Sequence, residues 1–469
     1  MSVLPDSYEA VVGLEIHVQL STRTKMFCGC ELSFGDDPNI HTCPVCLAHP
    51  GSLPVINERA VEYGIQIGLA LGCEIAPRSI FHRKNYFYPD NPKAYQISQY
   101  DIPLATAGRL GDVRIHRVHL EEDAAKLVHV GESGRIHGSG ASLVDFNRGG
   151  TPLVEIVTEP DLRDPAAARE WLQLLRTTVK AIGASDVNME EGSLRCDANV
   201  SIRPAGSDQL GVKTELKNMN SFRFIERGIE AELARQLDLI ESGEGVSQET
   251  LHFDPRSGAL TSLRSKEEAH DYRYFPEPDL VPLAPTDEML SAARAALPEL
   301  PETRQERYAA ELALPPAQAR QLAYDGELGD YFESALAAGD ASPAALANWV
   351  TGEPTAREIA PAALASLVAM VEQGKVTNQA GREVLAMLVA EGGDPAEIVE
   401  REGLGKVKDS GELEAIVEAA IEAHPSEAEK VKAGTGQAIG PMVGYVMRET
   451  KGRADGGQVT KLIRSKLGL

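Results

Sequence analysis

A glutamate and a histidine share one side of a short extended segment near the start of the chain. From Val11 to Leu20, residues Val12, Leu14, Ile16, Val18 and Leu20 fall on one face of a strand, leaving Glu15, His17 and Gln19 on the other. A lone strand histidine is more often structural than a ligand. Beside a carboxylate on the same face, with Glu121, Glu122, Asp197 and Glu215 elsewhere in the chain, a divalent-cation site competes with that reading. Carboxylates suit Mg2+, a hard cation that also bridges nucleotide phosphates, and the imidazole leaves Mn2+ or Zn2+ open. No Gly-x-x-x-x-Gly-Lys-Ser/Thr run occurs, so any nucleotide must be held by a metal and scattered side chains instead of a P-loop.

Two further groups carry chemistry. The segment from His82 to Asp90, continuing to Lys93, Tyr95, Gln96 and Ser98, interleaves bases, aromatics and amides. That mixture suits a phosphate clamp, with Lys84 as the first choice, and a platform for a nucleotide on Tyr86 and Tyr88. A rigid Pro-containing loop with packed tyrosines is the plain alternative. Cys28-x-Cys30 and Cys43-x-x-Cys46 flank 12 residues, a spacing suited to a tetrahedral Zn2+ bound by four thiolates, with His41 able to replace one of them. Cys73 and Cys196 stand apart. Cys196 alternates with an apolar strand face and reads as core, not as a glutaminase nucleophile.

The elements that must position these groups follow from patterning. Leu194–Arg203 sets Leu194, Cys196, Ala198, Val200 and Ile202 against Arg195, Asp197, Asn199 and Arg203, and Val212–Lys217 alternates likewise. Strands with one apolar and one charged face predict a mainly antiparallel sheet with a packed back and an open front. Pro165–Ile182 has helical spacing behind an Asp164 N-cap, and Phe222–Ile240 is a second helix. Prolines at 276, 278, 282 and 285 mark a boundary, after which Ala-, Leu- and Glu-rich helical periods take over. The expected fold class is α+β: a sheet domain over 1–285, an all-α domain over 286–402 and a small helical tail over 403–469.

At 469 residues the chain exceeds what one core usually supports. No apolar run reaches the roughly 20 residues of a membrane-spanning helix. Met1–Ala10 holds Asp6 and Glu9 but no base, against a signal or transit peptide, so a cytoplasmic location is the expectation and a reducing cytosol disfavours disulfides. The net charge of −24 argues against a nucleic-acid partner, yet residues 425–469 carry +4. An acidic protein with a basic end can still bind RNA through that end.

The run Val144-Asp145-Phe146-Asn147-Arg148-Gly149-Gly150-Thr151-Pro152-Leu153-Val154-Glu155-Ile156 resembles the signature of the B-subunit family of tRNA-dependent amidotransferases, Asp-x-Asn-Arg-x-Gly-x-Pro-Leu followed by an acidic residue. Val12–His17, His119–Ala124, Lys213–Asn218 and Asp271–Leu280 match the family in order. At the tail, Gly440, Gly444 and Met447–Asp455 are similar to its basic terminal helices, with departures at Pro441, Tyr445 and Gly456-Gly457.

The resemblance implies a cradle domain that uses ATP and Mg2+ to phosphorylate the side-chain carboxylate of Glu-tRNA(Gln) and/or Asp-tRNA(Asn). Ammonia from a partner glutaminase (amidase) subunit then displaces the phosphate, with a small third subunit completing a heterotrimer. It implies Glu15 and His17 as Mg2+ ligands, joined by a carboxylate among Glu121, Glu122 and Asp123 or by Glu215. Lys84 would meet phosphate and Arg148 would orient the loop or substrate. A structural Zn2+ on Cys28, Cys30, Cys43 and Cys46 is found in some members, and Arg448, Lys451 and Arg453 would contact tRNA. Two other classes remain: a non-catalytic tRNA-binding adaptor, identified by absence of ATP cleavage with charged tRNA and ammonia, and a ligase for a free small acid, identified by indifference to tRNA.

Overall fold

The computed structural model describes residues 4–130, 140–265, 272–406, 410–450 and 452–469, which form two compact units, Met1–Leu300 and Pro301–Leu469. The strands of the first unit are, in chain order, β1 (Tyr8–Gln19), β2 (Glu74–Ile75), β3 (Phe81–Asn85), β4 (Tyr95–Gln99), β5 (Ala105–Leu110), β6 (Val113–Glu122) and β7 (Lys126–Val130). They continue with β8 (Ala141–Asp145), β9 (Pro152–Thr158), β10 (Leu194–Pro204), β11 (Thr214–Met219), β12 (Glu249–Phe253), β13 (Leu260–Ser265) and β14 (Phe275–Pro276). Nine of them make one sheet in the order β13-β12-β11-β10-β1-β9-β6-β5-β2. Every pairing in it is antiparallel except β11 with β12. β14, β3 and β4 form a small second sheet, and β7 with β8 a separate ribbon.

Alternation in β1 is realised as expected: Ile16 and Val18 are fully buried, while Glu15, His17 and Gln19 stay partly accessible. β10 repeats it, with Cys196 on the buried side. The third expected strand is displaced two residues, running Thr214–Met219. Gly211 explains part of the shift, since it lies so close to the Ile202 carbonyl that a Cβ there would sit 2.1 Å from the oxygen.

Helices α1 (Glu58–Ala70), α2 (Pro165–Ile182) and α3 (Phe222–Glu241) cover the apolar side, α1 packing on β6 and α3 on β10 and β11. Asp164 caps α2 by accepting from the amides of Ala166 and Ala167 with Pro165 at N1, and Gly183 closes it in the left-handed conformation. Gly64 lets α1 settle onto the sheet: a Cβ there would stand 2.7 Å from Leu104 Cδ2. The helix Asp287–Ala296 packs on α1, so the first unit continues past the proline-marked boundary.

The second unit is helical and holds two apolar clusters. One gathers Tyr308, Phe332, Leu346, Leu364, Val384 and Leu388. The other gathers Leu413, Val417, Met442, Val446, Val459 and Ile463. In the first, Arg304 and Arg307 bond Glu333, whose carboxylate also accepts the Tyr308 hydroxyl at 2.8 Å. No helix among the described residues is long and apolar enough to cross a membrane.

Candidate active site on the sheet front

Register decides which side chains meet. On β1, Glu15 pairs with Asp197 of β10 and Val157 of β9, while His17 pairs with Arg195 and Glu155. On β6, His119 lies opposite the same Glu155 and Glu121 opposite Leu153. Adjacent strands in mid-sheet therefore project three carboxylates and two imidazoles to one place. His17 Nε2 is 3.4 Å from Glu155 Oε2, 3.5 Å from Glu121 Oε1 and 4.0 Å from Glu15 Oε1. His119 Nε2 lies 3.4 Å from Glu155 and 3.5 Å from Glu121. Ligand atoms of Glu15, His17 and Glu155, and again of His119, Glu121 and Glu155, fall within 4.8 Å of one another.

The electrostatics show how tightly the group is coupled. Burial by itself would depress the His17 imidazole, but its hydrogen bond to Glu155 and the charges of Glu155, Glu121 and Glu15 push it up to about 9. Burial and the neighbouring Glu155 carboxylate raise Glu15. Glu155 is only 5% exposed, yet His119, His17 and Arg117 outweigh its desolvation and hold it well below the usual carboxylate range. Oxygen and imidazole donors so disposed fit a divalent cation. The donor chemistry matches Mg2+ or Mn2+.

Of the expected ligands, Glu15 and His17 with one carboxylate among Glu121, Glu122, Asp123 and Glu215, the structure brings Glu15, His17 and Glu121 together. It does not bring Glu122 or Glu215 to them. Glu122 accepts from Lys93 Nζ and, at 3.0 Å, from the amide of Ile97. Glu215 accepts from Thr250 Oγ1 at 3.0 Å and lies 3.5 Å from Lys217 Nζ. Glu155 and His119 are members that sequence reasoning missed. Their signal was present: Glu155 is the single charge in the apolar run Pro152–Thr158, and His119 shares strand parity with Glu121.

The cluster opens into a cleft of about 320 Å3 whose walls include His17, Glu121, Lys84, Tyr86, Lys93 and Tyr272. Lys84 Nζ stands 4.7 Å from the Tyr272 ring centroid. Burial works against its charge, but Tyr274, Glu121, Glu155 and Tyr272 outweigh it and keep the ammonium charged far above neutrality. Tyr86 lines the cleft, and Tyr88 packs on it at 5.9 Å with its own ring more exposed. Arg148 does not reach into the cluster. Its guanidinium donates to the carbonyls of Ala124 and Ala125, both at 2.9 Å, and fixes the turn containing Gly149 and Gly150. Gly150 needs glycine because its φ is +90°.

The four cysteines converge beside the cleft, their Sγ atoms within 4.8 Å of one another. The Cys43 amide donates to Cys46 Sγ at 3.2 Å, and a hydrogen bond from Cys28 heads the interactions that pull the Cys46 thiol below its ordinary value. Four clustered thiols of which one readily ionises fit tetrahedral Zn2+. His41 is turned to Asp36 Oδ2 at 2.7 Å and does not join them. Cys196 is buried with its thiol raised well above the ordinary value, first by desolvation, which removes it as a nucleophile.

In the tail, Arg448 is exposed on the helix Gly440–Glu449, and Arg453 donates through Nε to the Thr450 carbonyl at 3.0 Å. Lys451, and Asp271 of the Asp271–Leu280 motif, lie outside the described residues.

Comparison with known proteins identifies the family. Residues 10–291 match the family model described as the GatB/GatE catalytic domain, and residues 330–467 match the GatB domain model. The chain is 47% identical to the B subunit of the aspartyl/glutamyl-tRNA(Asn/Gln) amidotransferase from Anaeromyxobacter dehalogenans, over 98% of this chain and 99% of the relative. It is 46% and 48% identical, with the same coverage, to the proteins of that name from Persephonella marina and Geobacter sulfurreducens. Matched over nearly its whole length, the chain belongs to the B-subunit family of aspartyl/glutamyl-tRNA(Asn/Gln) amidotransferases.

Proposed function

We propose that this chain is the ATP-dependent, tRNA-acting subunit of an amidotransferase that turns Glu-tRNA(Gln) and/or Asp-tRNA(Asn) into Gln-tRNA(Gln) and/or Asn-tRNA(Asn). The observation that carries this reading is the junction of Glu15, His17, Glu121 and Glu155 with a cleft that also presents Lys84. A carboxylate is a poor electrophile. One oxygen of the aminoacyl side chain therefore bonds to the γ-phosphorus of ATP as the bridging P–O bond breaks and ADP leaves. Ammonia then adds to the acyl carbon, loses a proton, and expels inorganic phosphate.

Each residue has a part in that sequence. Glu15, His17 and Glu155, with Glu121 and His119 alongside, would hold Mg2+, which supplies charge neutralisation on the phosphates. Lys84 offers a permanently charged donor to a phosphate oxygen. Tyr86 and Tyr88 present rings to a nucleotide. Arg148 keeps the glycine turn in place beside the ligands. Cys28, Cys30, Cys43 and Cys46 would clamp a structural Zn2+ with no role in bond making. Arg448, Lys451 and Arg453 of the tail, within the residues 403–469 read as a separate domain, supply cations to the tRNA backbone.

No amidase-type Ser-Ser-Lys arrangement occurs in the sequence, so ammonia comes from a separate glutaminase subunit, with a small third subunit in a cytoplasmic heterotrimer. The test is transamidation by the co-purified complex on both misacylated tRNAs, with glutamine or with ammonia. Formation of amide and ADP only when ATP and charged tRNA are both present is expected. Amidation of free glutamate or aspartate, or no tRNA-dependent ADP, overturns the reading.

A further inference from the structure

Arg195 stands on β10 directly across the ladder from His17, and its side chain lines the cleft. It also lines an adjoining cavity of about 490 Å3, which shares His17, Arg195 and Lys217 with the cleft. The other cleft cations are differently placed. Lys93 is paired with Glu122, Lys217 lies 2.7 Å from Asp197, and Lys84 rests against the Tyr272 ring. Among the described residues Arg195 is tied through Nη2, which stands 2.9 Å from Asp123 Oδ2.

That tie is firm. Asp123 is buried, its Oδ2 also accepts from Gln19 Nε2 at 2.9 Å, and its Oδ1 accepts from the Ala124 amide at 2.9 Å. The carboxylate cannot swing to follow the guanidinium; it orients it. The Nε of Arg195 is meanwhile buried without a hydrogen-bond partner among the described residues. With Nε out of reach of the cleft, a guanidinium held by a fixed carboxylate and 41% exposed over its side chain still presents terminal N–H donors to an anion.

We propose that Arg195 is an oxyanion-binding catalytic residue, whose guanidinium takes an oxygen of the phosphoryl group, or of the acyl carboxylate that receives it, through its terminal nitrogens. The assignment rests on the phosphoryl-transfer reading of the cleft. Asp123 is its positioning residue. The two sources of the oxygen, nucleotide γ-phosphate or aminoacyl carboxylate, are chemically alike to a guanidinium and separate only kinetically.

The experiment uses the complex purified with its partner subunits, as R195A and R195K. Amide formation, charged-tRNA-dependent ADP release, Mn2+ binding and thermal midpoint are each measured. Removal of one oxyanion donor typically lowers kcat by about 100- to 1000-fold. R195A should show that loss with Mn2+ binding and midpoint unchanged, and millimolar guanidinium should restore part of the rate. R195K keeps the charge but loses the planar guanidinium that Asp123 orients, so it should stay impaired and gain nothing from guanidinium.

Weaker binding of a non-hydrolysable ATP analogue would put the contact on the nucleotide, and a raised KM for charged tRNA would put it on the acyl carboxylate. Wild-type turnover in R195A overturns the proposal. So does a lost rate without rescue, accompanied by a lower midpoint or lost Mn2+ binding, which would make Arg195 only a brace. Absence of tRNA-dependent ADP release in the unmodified complex would instead sink the phosphoryl-transfer reading.

Discussion

Replacing Glu155 with glutamine is the sharpest perturbation of the cluster. Glu155 meets His17 and His119 at 3.4 Å through Oε2 and Arg117 at 3.1 Å through Oε1. An amide keeps the volume and can still accept from Arg117 through its oxygen, so the sheet should form normally. What changes is charge. Glu15, Glu121 and Glu155 are the three carboxylates of the cluster, and the substitution removes the one common to both ligand triads. Loss of a mere supporting partner costs a metal site about 10- to 100-fold in affinity. Loss of a direct ligand should therefore cost at least about 100-fold, or about 2.8 kcal/mol at about 1.4 kcal/mol per decade.

The assay is Mn2+ titration of the purified complex followed by electron paramagnetic resonance, in parallel with ADP release at saturating charged tRNA. E155Q should shift the Mn2+ curve by that factor and lose ADP release at fixed Mg2+, with part of the rate returning at high Mg2+. A variant that binds Mn2+ within about threefold of the unmodified protein and turns over normally would refute the assignment of the cluster as the metal centre.

Other consequences can be checked separately. Deleting residues 425–469 removes eight bases and four acids, so tRNA affinity should fall and become less salt-dependent, while ammonia-dependent amidation at saturating tRNA is largely retained; filter binding across a salt series reads this, and an unchanged slope counts against it. C43A should abolish bound Zn2+, from about one per chain by elemental analysis, and lower the thermal midpoint; full zinc retention would remove the four-thiolate assignment. Partial burial works against the charge of Glu333, but Arg307, Tyr308 and Arg304 hold its carboxyl below the ordinary value of 4.5. A depressed carboxyl contributes stability that is complete above pH 4.5 and vanishes as pH falls through the lower folded-state value. E333Q should thus melt earlier than the parent at pH 7 and converge with it at low pH; equal melting at pH 7 would show that the Arg304–Tyr308–Glu333 network contributes nothing.

Much of this was legible because period and punctuation are local. Glu15 and His17 announce their face through parity with Leu14, Ile16 and Val18, and Asp164, Pro165 and Gly183 delimit α2 by capping chemistry alone. The choice between Glu121 and Glu122 was also readable in principle, since adjacent strand residues point oppositely and His119 marks the metal side. Glu155 was harder. β9 is buried on both faces, so its residues show no alternation that would reveal which side the carboxylate takes. Only the pairing of β9 between β1 and β6 does so, and β6 carries an irregularity between Ile115 and Arg117 that shifts the ladder. Arg148 keeps two roles open in the sequence for a related reason: an arginine in a glycine-rich turn suits substrate binding and loop bracing equally well, and only the folded chain shows the carbonyls of Ala124 and Ala125 taking it.

The candidate ligand set is drawn from strands that adjoin in space but are far apart in sequence, at residues 15–17, 119–121 and 155. A chain emerging from the ribosome thus has no assembled centre until β9 has slotted between its neighbours, and a slip of one residue in any of the three would turn its donors into the core. Competence to spend nucleotide is in this way tied to completed architecture, while the connecting loops stay free to lengthen or shorten over evolution without touching the chemistry.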